Sequence, residues 1–366
     1  MRRWLIIPVL FIFLLQFSPV AKAEGGAFLV MDGRLGTVLE QQNADTPLPM
    51  ASTTKVMTAL VVLEQVDLKD QVVIPKEAEG IEGSSLYIKA GDRYSVEELL
   101  YGLLLRSAND CAEALAWYAG GEDRGKFIEK MNEKAGELGL EHTQFANPSG
   151  LPSENHYTTA RELALIMQAA MKDADFCKIC GTKSIDIKGQ RVVNHNKLLS
   201  IYKPCIGGKT GYTMEAGRCL VTMAQQDEAS LICVTLGRRG DWDLHMDAYQ
   251  RWFERLEQVI LAEAGDCRVE LPVAGGGCVV ARNSHSISTN LFQKEGEVEK
   301  EIYAPHLIYG NQRAGDVVGS IEYRMDGVLI GESALVLEKD LHVPLKKEFF
   351  INRIFRFFRQ LFLKKD

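Results

Sequence analysis

Ser52-Thr53-Thr54-Lys55 places a hydroxyl and an amine three positions apart. On a helix starting at Ser52 that spacing is one turn, so the two groups share a side and a neutral amine could take the serine proton. Neutrality is the requirement, and burial or a second nearby cation would supply it by penalising the charged form of Lys55. The same pattern recurs at Ser200-Ile201-Tyr202-Lys203, but Lys203 precedes Pro204, which pushes it out of helical geometry and breaks the one-turn relation. Two other runs set polar or cationic groups close together. Ser107-Ala108-Asn109 is a Ser-x-Asn, a pattern also found at Ser153-Glu154-Asn155 and Ser288-Thr289-Asn290, so alone it discriminates little. Lys209-Thr210-Gly211 occurs once, after Gly207-Gly208.

Other chemistries fit less well. The 7 histidines are scattered without an HExxH, which argues against a metallopeptidase. Cys177-Lys178-Ile179-Cys180 has no second CxxC or spaced His pair to complete a metal site, and no strand leads into it as a redox motif requires. The 8 cysteines read as mostly buried or incidental thiols. No metal or cofactor is expected. A net charge of -7 argues against nucleic acid as a partner, because phosphate binding needs a concentrated positive surface.

Several elements must position the three runs. AFLVMD (27–32) and GTVLEQ (36–41) flank turn residues and predict a hairpin. Val56–Leu63 reads as a buried helix, and further helices are expected at Ser95–Leu105, Asn109–Ala119, Asp123–Leu138 and Thr159–Lys172. Extended stretches follow at Ser184–Ile187, Gln190–Val193, Arg218–Ala224 and Ser230–Leu236, then a long helix from about Asp241 to Ala264, with the Lys209 run standing before a strand. Strands at both ends with helices between them suggest one α/β unit whose sheet is closed by late-arriving strands. From 265 to 345 glycines punctuate short Val/Ile/Tyr-rich runs, which predicts a small all-β domain.

The ordered set of SxxK opening a helix, SxN between helices and KTG beside a strand is that of penicillin-binding proteins and class A β-lactamases. The sequence resembles the low-molecular-weight penicillin-binding proteins that are serine-type D-alanyl-D-alanine carboxypeptidases, peptidase family S11, from about Ala27 to Leu261. Supporting stretches include MASTTKVMTALV (50–61), LLLRSANDCAEALA (103–116), FANPSGL (145–151), NHYTTARELA (155–164) and GGKTGYTMEAG (207–217). ENHYTTARELA beside GGKTGYT is most similar to the spore-associated members. The resemblance implies an α/β (α+β) fold, a penicillin-binding/β-lactamase-like domain with a mainly antiparallel sheet flanked by helices. It implies Ser52 as nucleophile, Lys55 as proton acceptor and Ser107 as proton relay. It implies that Asn109 binds the substrate amide, Lys209, Thr210 and Gly211 receive the terminal carboxylate, and the backbone N–H groups of Ser52 and Tyr212 form the oxyanion hole. The expected reaction removes the last D-alanine of a peptidoglycan pentapeptide stem, with β-lactams acylating the same serine. A DD-endopeptidase acting on cross-links is the near alternative. A class A β-lactamase is disfavoured by Ser-Ala-Asn and by the lack of a Glu-x-x-x-Asn element. Non-catalytic peptidoglycan binding or penicillin sensing is disfavoured by the intact motif set.

The chain ends carry their own signals. Met1-Arg2-Arg3, a 12-residue apolar run and Ala21-Lys22-Ala23 read as a signal peptide over 1–23, hence export through the Sec pathway. In 346–366, Phe350, Ile351, Ile354, Phe355, Phe358 and Phe362 fall on one helical arc while arginines fall on the other. That is the composition of an interfacial helix on an anionic membrane, which would make the protein peripheral on the outer face of the cytoplasmic membrane. The leader contributes three positive charges and the tail a net five, so the body between carries fifteen net negative charges. The expected organisation is a signal peptide (1–23), a serine peptidase domain (24–264), a β-rich domain (265–345) and an anchoring helix (346–366).

Overall fold

The computed structural model describes residues 25–292 and 297–342. The expected signal peptide and the expected anchoring helix lie outside the described residues. Two compact units divide between Glu254 and Arg255.

The first unit opens with β1 (Ala27–Asp32) and β2 (Val38–Gln42), the expected hairpin. A 3₁₀ turn at Ala51–Thr54 leads into α1 (Lys55–Gln65). Then come β3 (Gln71–Val73), β4 (Arg93–Ser95), α2 (Val96–Leu105), α3 (Asn109–Ala119), α4 (Arg124–Glu137), α5 (Ala160–Ala170) and α6 (Ala174–Cys180). The strand pair β5 (Ser184–Ile187) and β6 (Gln190–Val193) and the short α7 (Leu198–Ile201) precede β7 (Cys205–Thr213), β8 (Gly217–Gln226), β9 (Ala229–Leu236) and α8 (Asp241–Phe253). Local signals account for several boundaries. Ser95 and Glu98 form a reciprocal capping box at α2, and Asp123, Thr159 and Asp173 cap α4, α5 and α6.

The sheet is antiparallel, in the order β2-β1-β9-β8-β7, so the first two strands pair with the last to arrive. β1 and β9 are buried along their whole length, as central strands covered on both faces must be. Alternation along β8 sorts the two layers. Cys219, Val221 and Met223 join the main core under α1 to α6, while Leu220 meets Leu198, Trp242 and Met246 on the face covered by α8. Beneath α8 a buried polar cluster closes on itself: the His245 ring nitrogens reach Thr222 (2.7 Å) and Thr235 (3.2 Å), and Tyr249 donates to the Thr222 carbonyl (2.7 Å).

Two expectations are corrected. The helix from Asp241 stops at Phe253, and Glu257–Ala262 is a strand, β10, pairing with β13 (Ile287–Leu291). The β-branched pair Val259-Ile260 finds cross-strand partners that an isolated helical turn would not give it. The second unit therefore begins ten residues before the expected 265. Lys209-Thr210-Gly211 lies inside β7 rather than ahead of a strand, paired through Val221, Leu220 and Cys219 of β8.

The second unit adds β11 (Arg268–Pro272), β12 (Cys278–Asn283), β14 (Val298–Tyr303), β15 (Val317–Met325) and β16 (Val328–Leu337). They form a five-stranded sheet in the order β11-β12-β16-β15-β14, beside the pair β10-β13. No described residue of this unit is helical. All eight cysteines are free thiols, and Cys278 is the exposed one.

Candidate active site

The Ser52 turn is tightened by its own threonines. Thr53 and Thr54 hydroxyls donate to the Met50 and Ala51 carbonyls (2.6 and 2.7 Å), which favours a 3₁₀ turn over an α-helical start and delays α1 until Lys55. Ala51 takes a left-handed φ of 47°, an expensive conformation for a residue with a Cβ. Lys55, fully buried, points its Nζ at Ser52 Oγ (3.1 Å), Asn109 Oδ1 (2.7 Å) and the Ser149 carbonyl. The hydroxyl and amine are therefore together, as the three-residue spacing required.

Ser107 and Asn109 stand where α2 hands over to α3. Ser107 is buried with a φ of 64°, and the Asn109 N–H donates to the Ser84 carbonyl (2.7 Å). Both ends of the Asn109 amide are engaged, Oδ1 by Lys55 and Nδ2 by the Glu82 carbonyl (2.7 Å). Asp110 beside it accepts from Ser85 Oγ (2.6 Å) and from the Leu86 and Ile88 N–H groups, holding the 84–88 loop against α3. Among the described residues the Ser107 hydroxyl has no hydrogen bond to either lysine.

β7 is an edge strand of the sheet, and pleating divides its run. Lys209 is buried and donates to the Thr210 carbonyl (2.8 Å), while Thr210 and Gly211 are half-buried. A Cβ on Gly211 would stand 3.0 Å from Ser52 N and 3.1 Å from Met50 O, so this glycine lets β7 approach the serine turn. A cavity of about 750 Å³ opens here, with Ser52, Ser107, Thr210, Gly211 and Tyr212 among its lining. Lys55, Asn109 and Lys209 are buried and are not among its lining residues.

Burial dominates the electrostatics. It holds Lys55 well below the usual lysine range, with the Lys209 charge adding to the effect and Cys111, Glu113 and Asp110 opposing it. Burial alone brings Lys209 down to about 7. The second cation beside Lys55 is thus Lys209.

Two contributors carry no side-chain signature in the sequence. The Ser149 carbonyl is presented by a turn in which Asn147 Oδ1 collects the N–H groups of Ser149, Gly150 and Leu151 (3.2, 2.7 and 3.2 Å). The Asn147-Pro148-Ser149-Gly150 run was its available signal. His156 is the other, buried and bonded to Thr54 (2.7 Å). Asp241, at the start of α8, makes a bidentate pair with Arg218 (2.9 and 3.0 Å).

The D-alanyl-D-alanine carboxypeptidase family model, Peptidase S11, matches residues 16–240. The chain belongs to this family. Among curated relatives, D-alanyl-D-alanine carboxypeptidase DacF of Bacillus subtilis is 29% identical over 370 residues, covering 93% of this chain and 95% of its own. D-alanyl-D-alanine carboxypeptidase DacC of Escherichia coli is 30% identical over 365 residues, covering 90% of each. Among solved structures, penicillin binding protein 5 from Haemophilus influenzae superposes with a TM-score of 0.64 at 28% identity, over 87% of this chain and 98% of that one. As a D-alanyl-D-alanine carboxypeptidase family member the chain has the mixed α/β architecture with antiparallel sheets that its sequence implied.

Proposed function

We propose that the chain is a serine-type D-alanyl-D-alanine carboxypeptidase whose Ser52 carries the acyl group, and that it acts on peptidoglycan stems outside the cytoplasm. The observation that carries this is the ring of three oxygens around Lys55 Nζ. A neutral amine has two N–H groups and one lone pair. With the N–H groups given to Asn109 Oδ1 and the Ser149 carbonyl, the lone pair is left facing the Ser52 hydroxyl. Desolvation keeps the amine neutral, so it accepts the serine proton as Oγ attacks the carbonyl of the penultimate D-alanine.

The negative charge that develops on that carbonyl oxygen is received by the N–H groups of Ser52 and Tyr212. The terminal carboxylate docks at Lys209 and Thr210, and its charge favours the protonated form of a lysine whose pKa lies near 7. The substrate backbone extends the sheet along β7, an edge strand. The proton on Lys55 passes through Ser107 to the leaving amine, D-alanine departs, and water hydrolyses the Ser52 ester by the reverse relay. Asn109 acts through Lys55 and keeps a route to the substrate amide only if Nδ2 leaves Glu82. A β-lactam follows the first half of this path and remains on Ser52.

Ser52→Ala is expected to abolish both labelling by a fluorescent penicillin and D-alanine release from a pentapeptide ending in D-Ala-D-Ala. Labelling that persists would overturn the assignment. Comparing D-alanine release with cleavage of a cross-linked dimer separates carboxypeptidase from endopeptidase action. The leader (1–23) is proposed to direct export, and the 346–366 segment to rest on an anionic membrane surface. A 346–366 peptide should float with anionic vesicles and stay behind with neutral ones, and failure to float with either would sink the anchor.

A further inference from the structure

We propose that His156 and Thr54 are positioning residues that fix the direction of the Ser52 N–H, one half of the oxyanion hole. The inference rests on the reading of that N–H as an oxyanion donor. No peptide bond among the described residues is cis, so in the Ala51–Ser52 peptide the carbonyl and the N–H point in opposite directions. Whatever holds the Ala51 oxygen therefore aims the Ser52 hydrogen.

One side chain bonds it, and a second stands behind the first. Thr54 Oγ1 donates to the Ala51 oxygen (2.7 Å). His156 Nε2 lies 2.7 Å from the same hydroxyl, and its Nδ1 accepts the Ala146 N–H (3.1 Å). These partners settle every proton. Nδ1 must be bare to accept, so the neutral ring carries its hydrogen on Nε2, gives it to Thr54, and leaves the threonine hydrogen for Ala51. Phe145 packs edge-on against the ring (centroids 5.9 Å apart, planes at 72°). From the other flank Gly150, at a φ of 86°, presses on the same peptide: a Cβ there would fall 2.0 Å from the Ala51 oxygen and 2.9 Å from Ser52 N.

The left-handed Ala51 gives the arrangement a purpose. Such a residue persists only where its surroundings over-determine it. Here they do so immediately before the nucleophile, in a chain of bonds that ends on a carbonyl and touches neither substrate nor Lys55. Burial above all brings the His156 pKa down to about 4, which agrees with a ring held neutral.

Thr54→Val, which removes the hydroxyl, should lower kcat and the rate of penicillin acylation by about 10²-fold, the order of losing one oxyanion donor, with KM within about twofold. The affinity for a boronic acid analogue of the stem peptide, tetrahedral on Ser52, should fall by the same factor. Thr54→Ser should restore all three, and His156→Gln, which keeps a donor for Thr54, should lose less than His156→Phe. A Thr54→Val enzyme that melts earlier yet keeps kcat and boronate affinity would reduce the pair to a structural role. Loss of KM and kcat in parallel would also overturn the proposal. Either result leaves Ser52 labelling, and with it the carboxypeptidase reading, intact.

Discussion

Each unit is built on a five-stranded antiparallel sheet, and the two use their buried polar groups in opposite ways. In the second unit the buried polar side chains are Asn283, Thr289 and Ser333. Asn283 accepts from the Cys267 N–H (2.9 Å) and donates to the Glu263 and His285 carbonyls (2.8 and 2.9 Å), a staple that completes backbone bonding. In the first unit the buried set includes two lysines, Lys55 bonded to the Ser52 hydroxyl at the edge of a cavity and Lys209 to the Thr210 carbonyl. A neutral amide can be buried at little cost once its bonds are made, whereas a buried amine gives up its charge. The comparison shows that a sheet becomes an active site where a helical turn brings a desolvated base to its open edge.

That difference can be attacked with acid. His156 and His245 both lie in the first unit, held at about 4 and about 3 by burial. An unfolded imidazole takes its proton near pH 6.5, so between that value and the folded ones the unfolded chain holds more protons. The stability is complete above pH 6.5 and is lost as pH falls toward 4, by about 3 kcal/mol from His156 alone. Calorimetry from pH 7 to 4.5 should show the first unit's transition falling steeply. A flat transition would mean the rings are not held neutral.

The smaller test falls on the other unit. Asn283→Ala leaves one N–H and two carbonyls without their partner and should destabilise the second unit by roughly 1–3 kcal/mol. Its melting transition would report the loss while the penicillin acylation rate stays unchanged. An acylation rate that fell with it would show that the two units share their stability.

Much of the architecture was legible because local signals and tertiary demands agree. α3 (Asn109–Ala119), β5 and β6 match their sequence expectations, since the apolar period of the helix and the turn at Gly189 agree with the tertiary packing there. The region after Phe253 was misread because Leu256, Val259 and Ile260 also suit a helical stripe, and only the distant β13 decides for a strand. In the site, Ser52, Lys55 and Lys209 were legible as side chains at telling spacings. The Ser149 and Glu82 carbonyls were not, because a backbone acceptor has the same chemistry at every residue. The occupied amide of Asn109 was hidden for the same reason: its partner at Glu82 is main chain.

The free thiols have a consequence for how the molecule must be made. In the finished fold Cys111, Cys219 and Cys233 are fully enclosed, and burial drives their pKa values well up, Cys219 to about 12. A thiol in that state offers almost no thiolate to an oxidant. The unfolded chain has no such shelter. For a protein proposed to fold after export, collapse must outrun oxidation, and every slow folder in the population is a candidate for a wrong disulfide that the native structure never contains.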